Sequence, residues 1–176
     1  MSTHYTPLAK GLHWLMALMI FGLLALGFYM SDLPLSPEKL QLYSWHKWAG
    51  VTIFVLVWLR LAWRITHRPP ALPDGMPVHM QWAAHAGHFL LYALMIAIPL
   101  SGWLMSSAKG VQTVWFGVLP LPDLLAKDKA LGHLLAEVHE ALNMGLLLLI
   151  AGHAAAALFH HVVHKDDTLR RMLPSR

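Results

Sequence analysis

Thirteen histidines stand in a chain of 176 residues that holds only nine aspartates and glutamates. Their spacing is the first sign of chemistry. His139 and His153 lie fourteen residues apart in the stretch HEALNMGLLLLIAGHAAAALFHHVVH, which is otherwise almost wholly apolar. In a helix, about 100° per residue brings the second imidazole to within about 40° of the first, and a rise of about 1.5 Å per residue sets them roughly 21 Å apart. His46 is followed at the same interval by Arg60, with Arg64 a turn later, and His13 opens another apolar run. A neutral imidazole nitrogen ligates metals, and the same ring takes up and releases protons near neutral pH. Ionisable groups at the depth of a bilayer are costly and point to function.

The elements that must position these groups are apolar helices. Apolar residues make up 57% of the chain and charged residues 12%, against about 25% charged in soluble domains. Four apolar runs, at about 11–30, 45–65, 81–106 and 139–164, are each long enough to cross a bilayer, which takes about 20 residues. The expected fold is all-α: one integral membrane domain over 1–176, a four-helix bundle running up-down-up-down. Residues 31–44 and the segment THRPPALPDGMP read as loops, because proline stops a helix. Pro99 falls inside the third run, where a kink is expected. Residues 107–132 form the longest connection, with room for an interfacial helix. No small-residue cleavage site follows the first run, so it is expected to remain as a span.

Lysine and arginine set the orientation. With the N-terminus inside, Lys10, Arg60, Arg64, Arg68, Lys165, Arg170, Arg171 and Arg176 are internal, while Lys39, Lys47, Lys109, Lys127 and Lys129 are external. That balance places both termini in the cytoplasm. The net charge of +4 is explained by this flanking of apolar runs and does not indicate nucleic acid. The absence of cysteine excludes disulfides, iron–sulfur clusters and thiolate zinc sites.

The same topology sorts the histidines by depth. His13 begins an outward span and His153 ends an inward one, so both lie on the cytoplasmic side. His46 and His139 begin inward spans, so both lie outside. A single histidine near a helix end is ordinarily an interfacial or hydrogen-bonding residue. Four that pair by depth on three spans call for something more, and haem supplies it: its iron has two axial positions, each suited to an imidazole. With both filled, oxygen has no easy place to bind, and outer-sphere electron transfer is the expected task. Gly50 beside His46, and Gly152 with Ala154–Ala157 around His153, leave room for a flat macrocycle between facing helices. Two haems b stacked across the bilayer would form an electron path, with Arg60 placed to pair a haem propionate.

A second cluster gathers on the cytoplasmic side. By helical spacing His160 and His164 share the face of His153, while His161 is rotated away. His85 and His88 reach the same level from the third span. Two readings stand: a quinone pocket in which a histidine bonds the carbonyl and supplies protons, or solvated interfacial imidazoles. A zinc site from His160 and His164 is a lesser third reading.

The segments LHWLM (12–16), WHKWAGV (45–51), RLAWR (60–64), AGHFLLY (86–92), PLSGWLMSS, VHE (138–140) and GHAAAALFHH…KDDTLRRMLP together resemble the bacterial cytochrome b561 family, which is related to the cytochrome b subunits of nickel–iron hydrogenases. The resemblance runs over nearly the whole chain and is most specific in the last segment. It implies a four-helix bundle of the bacterial inner membrane with two haems b, whose axial histidines match His13, His46, His139 and His153. One family member is a superoxide oxidase that passes electrons to ubiquinone, and its quinone-contacting histidines match His88 and His160. The expected function is therefore a di-haem b oxidoreductase carrying single electrons between a periplasmic donor, superoxide among the candidates, and ubiquinone. Lys39, Lys47, Lys127 and Lys129 would steer an anionic donor. The competing reading is a haem-bearing membrane anchor that docks a soluble redox partner. A transporter or metal-handling protein without haem is the third.

Overall fold

A computed structural model describes residues 5–73 and 75–173; Arg176, named above, lies outside them. Four long helices make up the molecule: α1 (Pro7–Asp32), α2 (Pro37–Thr66), α3 (Val78–Ala108) and α4 (Lys129–Phe159). All four are long and apolar enough to cross a membrane. The chain is an all-α integral membrane bundle.

Local chemistry explains where the helices start. Thr6 accepts from Ala9 N at 3.3 Å ahead of Pro7, and Ser36 accepts from Lys39 N at 3.2 Å ahead of Pro37. A hydroxyl cap followed by proline is a strong start signal, because proline lacks the N–H that would go unpaired there. Asp128 caps α4 through Leu131 N at 3.0 Å. This cap carries α4 back to Lys129, well before the apolar run that begins at His139. Helix α3 runs unbroken through Pro99.

The long connection holds no interfacial helix. Gly110, at φ +68°, ends α3 in a left-handed conformation, with Gly110 N on Ser107 O and Val111 N on Ser106 O. A small antiparallel hairpin follows, β1 (Val114–Trp115) with β2 (Leu119–Pro120). Valine and tryptophan favour extended backbone on either side, and Phe116 and Gly117 turn with positive φ. The hairpin is fastened to α2: Trp48 Nε1 donates to Val114 O, and Trp115 Nε1 donates to Trp48 O.

The regular part of α4 ends at Phe159, and His160–His164 form a π-helical turn closed by Lys165 in a left-handed conformation. A 3₁₀ turn at Arg170–Met172 follows. The tail is tied to the start of the chain. Lys10 Nζ donates to Leu173 O at 2.8 Å, and Trp14 Nε1 donates to Met172 O at 2.9 Å. Both described chain ends therefore lie at one end of the bundle, here the terminal end. The hairpin marks the far end.

Helix α1 packs on α2, α2 on α3, and α3 most extensively on α4, whereas α1 packs far less on α4. The buried core is a short central layer of Met16, Ile20, Leu24, Ile53, Val57, Ile98 and Leu146. Outward faces are apolar as well: Leu18, Phe89 and Leu148 are each more than 70% exposed. In water such faces would drive aggregation; in a bilayer they are the lipid surface.

Removing the α4 cap by Asp128→Ala is expected to destabilise the protein by about 1 kcal/mol. A lower thermal midpoint in detergent, with faster amide exchange confined to the first turn of α4, is the measurement to make.

Candidate cofactor site

The central core layer separates two levels of imidazoles. At the far level, His46 of α2 and His139 of α4 face each other with ring centroids 6.4 Å apart. At the terminal level, His13 of α1 and His153 of α4 stand 6.2 Å apart. All four rings are partly buried. Two metal–imidazole bonds of about 2.0–2.1 Å each, plus roughly 1.2 Å from nitrogen to ring centre on either side, would set the centroids about 6.4 Å apart. Both pairs have the separation that one iron between them requires.

Between His46 and His139 lies an open-mouthed cleft. Ile20, Leu24, Ile53, Met95 and Ile98 make it apolar, and Gly50 lines it. A Cβ at Gly50 would meet nothing within 4 Å, so the missing side chain leaves open space. His139 is oriented from α3: its Nδ1 lies 3.1 Å from Ile98 O and 2.9 Å from Ser101 Oγ. The carbonyl can only accept, so Nδ1 carries the hydrogen and Nε2 keeps its lone pair for a metal. His46 Nδ1 is buried without a partner. These features fit a haem held by imidazoles in an apolar slot.

Two glycines that the spacing argument did not single out shape this level. A Cβ at Gly102 would sit 3.1 Å from His139 Cε1, and one at Gly27 would sit 3.5 Å from His46 Cε1. Gly102 lets α3 close on the His139 ring, whereas a Cβ at Gly27 would make only an ordinary contact with His46. Ser101 is likewise new. Nothing in the apolar pattern marks these residues, because their role depends on which helix faces which ring.

At the terminal level Arg60 is a bridge. It donates through Nε to Tyr92 Oη at 3.0 Å and through Nη1 to Ala9 O at 3.2 Å, and its Nη2 lies 3.3 Å from His13 Nδ1. Arg64 lies over the Tyr92 ring, 5.9 Å from its centre. His88 packs edge-on against His153 at 5.6 Å, so three imidazoles meet at this level.

The expected cluster around His160 is divided. His88 turns to His153, while His160 Nδ1 lies 2.6 Å from Asp166 Oδ2. His85 is exposed and bonds Gln81 O within its own helix. Helical spacing from His153 fails past Phe159, because the π turn breaks the 100° step. His161, expected to point away, has a buried Nδ1 without a partner, and His164 is exposed. Among the described residues no three histidine or carboxylate side chains converge to hold a small metal ion, which removes the zinc reading. Outside the spans, burial would raise the Asp166 carboxyl, but hydrogen bonds from Thr168 and His160 hold it down, to about 2.

A membrane-spanning bundle that sets paired imidazoles at two levels, one of them beside an apolar cleft, is a membrane cytochrome by class. Residues 4–175 match the family of prokaryotic cytochrome b561, and the chain belongs to it. It is 35% identical to cytochrome b561 homolog 2 of Escherichia coli K12 over 177 residues, covering 96% of this chain and 90% of the relative. Cytochrome b561 homolog 1 of the same organism is 35% identical over 144 residues, 80% of each chain. A probable superoxide oxidase, CybB of Yersinia pestis, is 31% identical over 185 residues, covering 100% of this chain and 99% of that one. The chain is thus a multi-pass cytochrome of the bacterial inner membrane, and its family carries haem b.

Gly102→Ala forces the His139 ring aside and is expected to weaken haem binding at the far level roughly 10-fold. Haem-to-protein ratios should fall, with Gly22→Ala, whose Cβ meets nothing within 4 Å, as the unaffected control. The Asp166 carboxyl lies below its ordinary 3.8 when folded, so its closure of the local turn through His160 and Thr168 is complete above about pH 4 and is lost as pH falls through about 2. Pepsin cleavage within 165–173 should be slow near the upper pH and rapid near the lower.

Proposed function

We propose that this chain, as a single membrane domain over 1–176, is a di-haem b cytochrome that moves single electrons from a periplasmic donor to ubiquinone, with superoxide as the donor. His46 and His139 would hold the far haem, and His13 and His153 the terminal one. Both termini face the cytoplasm on the lysine and arginine balance, so the far level is periplasmic. The observation that carries the reading is the facing of two imidazole pairs, 6.4 and 6.2 Å apart, on either side of one apolar layer. The likeness to a probable superoxide oxidase supports the choice of donor.

The chain's own residues have distinct tasks in this reading. When bound, haem supplies reversible one-electron chemistry at its iron. Ile98 O and Ser101 hold His139 in the ligating tautomer. Arginine only donates, so a His13 that accepts from Arg60 carries its hydrogen on Nε2. With Nε2 on an iron, His13 would carry its hydrogen on Nδ1, and Arg60 would be placed to pair a haem propionate. Met16, Ile20, Val57 and Leu146 keep water out between the levels. His88 and His160 are the residues proposed to meet the quinone.

An anchoring role has one observation in its favour: the far-end hairpin exposes Phe116 and Val118, the latter at 83%. A stable soluble partner that copurifies and is needed for haem reduction would decide for it.

His153→Ala is expected to lose the terminal haem and His46→Ala the far one, each halving haem content by pyridine haemochrome assay. Purified protein with ubiquinone should remove superoxide faster than spontaneous dismutation. Equal rates would end the superoxide assignment.

A further inference from the structure

Beyond α4 the chain builds a partly buried acid–imidazole pair that neither haem ligation nor tail packing uses. His160 Nδ1 and Asp166 Oδ2 lie 2.6 Å apart, with side chains only 12% and 21% exposed. Asp166 Oδ1 accepts from Thr168 N at 2.8 Å. The backbone is shaped around the pair. The helix widens into a π turn at His160–His164, Lys165 takes a left-handed conformation, and Asp166 N donates to His160 O at 3.2 Å. These bends bring the carboxylate back onto the ring six residues earlier. Attachment of the tail does not depend on them, since Lys10, Trp14 and Arg171 already hold it.

The pairing has a chemical consequence. A carboxylate only accepts, so the Nδ1 of His160 carries the hydrogen, and Nε2 is left as the one ring position that can take up and release a proton. The anion beside the ring stabilises the imidazolium formed in between. The neighbouring groups are His164, 5.2 Å from the His160 ring, His161 on the same turn, and the exposed Lys165. Asp167 is occupied with Arg170 at 3.6 Å in an exposed pair.

We infer that Asp166 is the positioning residue of a proton-transfer dyad, in which His160 Nε2 passes protons from the cytoplasmic side to a quinone carbonyl oxygen. This rests on the quinone reading above. The overall step balances as one quinone, two superoxide anions and two protons giving one quinol and two molecules of oxygen. In each proton transfer the Nε2–H bond of His160 breaks as a quinone O–H bond forms, and water on the cytoplasmic side restores the proton.

The test uses the purified haem-loaded protein, reduced with stoichiometric dithionite and mixed in a stopped-flow apparatus with a water-soluble ubiquinone analogue. Ferricyanide, which takes electrons without protons, is the parallel oxidant. Asp166→Asn is expected to slow oxidation by the quinone roughly 10²-fold, to raise the solvent deuterium isotope effect, and to leave oxidation by ferricyanide as in wild type. Asp166→Glu should recover most of the rate. A D166N protein that matches wild type with quinone overturns the dyad and leaves the quinone reading standing. Equal slowing with both oxidants, or no recovery in D166E, assigns Asp166 a structural role and also overturns it. Wild-type protein that cannot be oxidised by quinone removes the quinone reading, and the dyad with it.

Discussion

The constraint on which the rest of the bundle depends is the pairing of imidazoles across helices, with the rings of each pair nearly perpendicular. The rings of His46 and His139 stand 6.4 Å apart and those of His13 and His153 stand 6.2 Å apart. Helices pressed into ordinary contact have axes about 8–10 Å apart and fill the space between with side chains. Here α1 packs far less on α4 than on α2, and the far level opens into an apolar cleft. Such a gap is unfavourable in an apolar core, where a void forfeits dispersion contacts on every lining atom.

The two levels are kept open by different means. At the far level the means are small residues and backbone. Gly102 lets α3 approach a ring, Gly50 leaves open space, and the Ile98 carbonyl with Ser101 sets one imidazole's tautomer. The hairpin, tied to α2 through Trp48 and Trp115, lies over this end. At the terminal level the means are charged and long. Arg60 spans α1, α2 and α3 through Ala9 O, His13 and Tyr92, and the tail is drawn onto Lys10 and Trp14. One end thus resembles a dry slot and the other a polar rim, a division suited to passing electrons at one end and protons at the other.

The apolar layer of Met16, Ile20, Leu24, Ile53, Val57, Ile98 and Leu146 does two jobs at once. It holds most of the buried large apolar side chains among the described residues, and several of them, Ile20, Leu24, Ile53, Ile98 and Leu146, also form the floor of the far-level cleft. It also separates the two imidazole levels and excludes water between them. Lipid-facing side chains add little to this, because lipid tails are as apolar as leucine and give no hydrophobic drive to helix association.

Much of this was legible from the amino-acid sequence alone. Four long apolar runs dictate four spans, because a bilayer leaves backbone polar groups no alternative to helix. The fourteen-residue interval from His139 to His153, and the place of His13 and His46 at the starts of their runs, follow from a helical period that holds while the helix is regular. What the tertiary structure decided lies where that period stops or where two helices meet. The π turn after Phe159 sent His160 to Asp166 and buried His161, and spacing counted along a regular helix could not show it. The extension of α4 to Lys129 rests on one capping side chain, and the hairpin on the bonds of Trp48 to Val114 O and of Trp115 to Trp48 O, partners far apart in sequence. Gly102, Ser101 and the Arg60 bridge gain their roles only from the ring or carbonyl a neighbouring helix presents. Periodicity is a property of one helix; the fit of a ring, a glycine and a carbonyl is a property of two or three, and only folding brings them together.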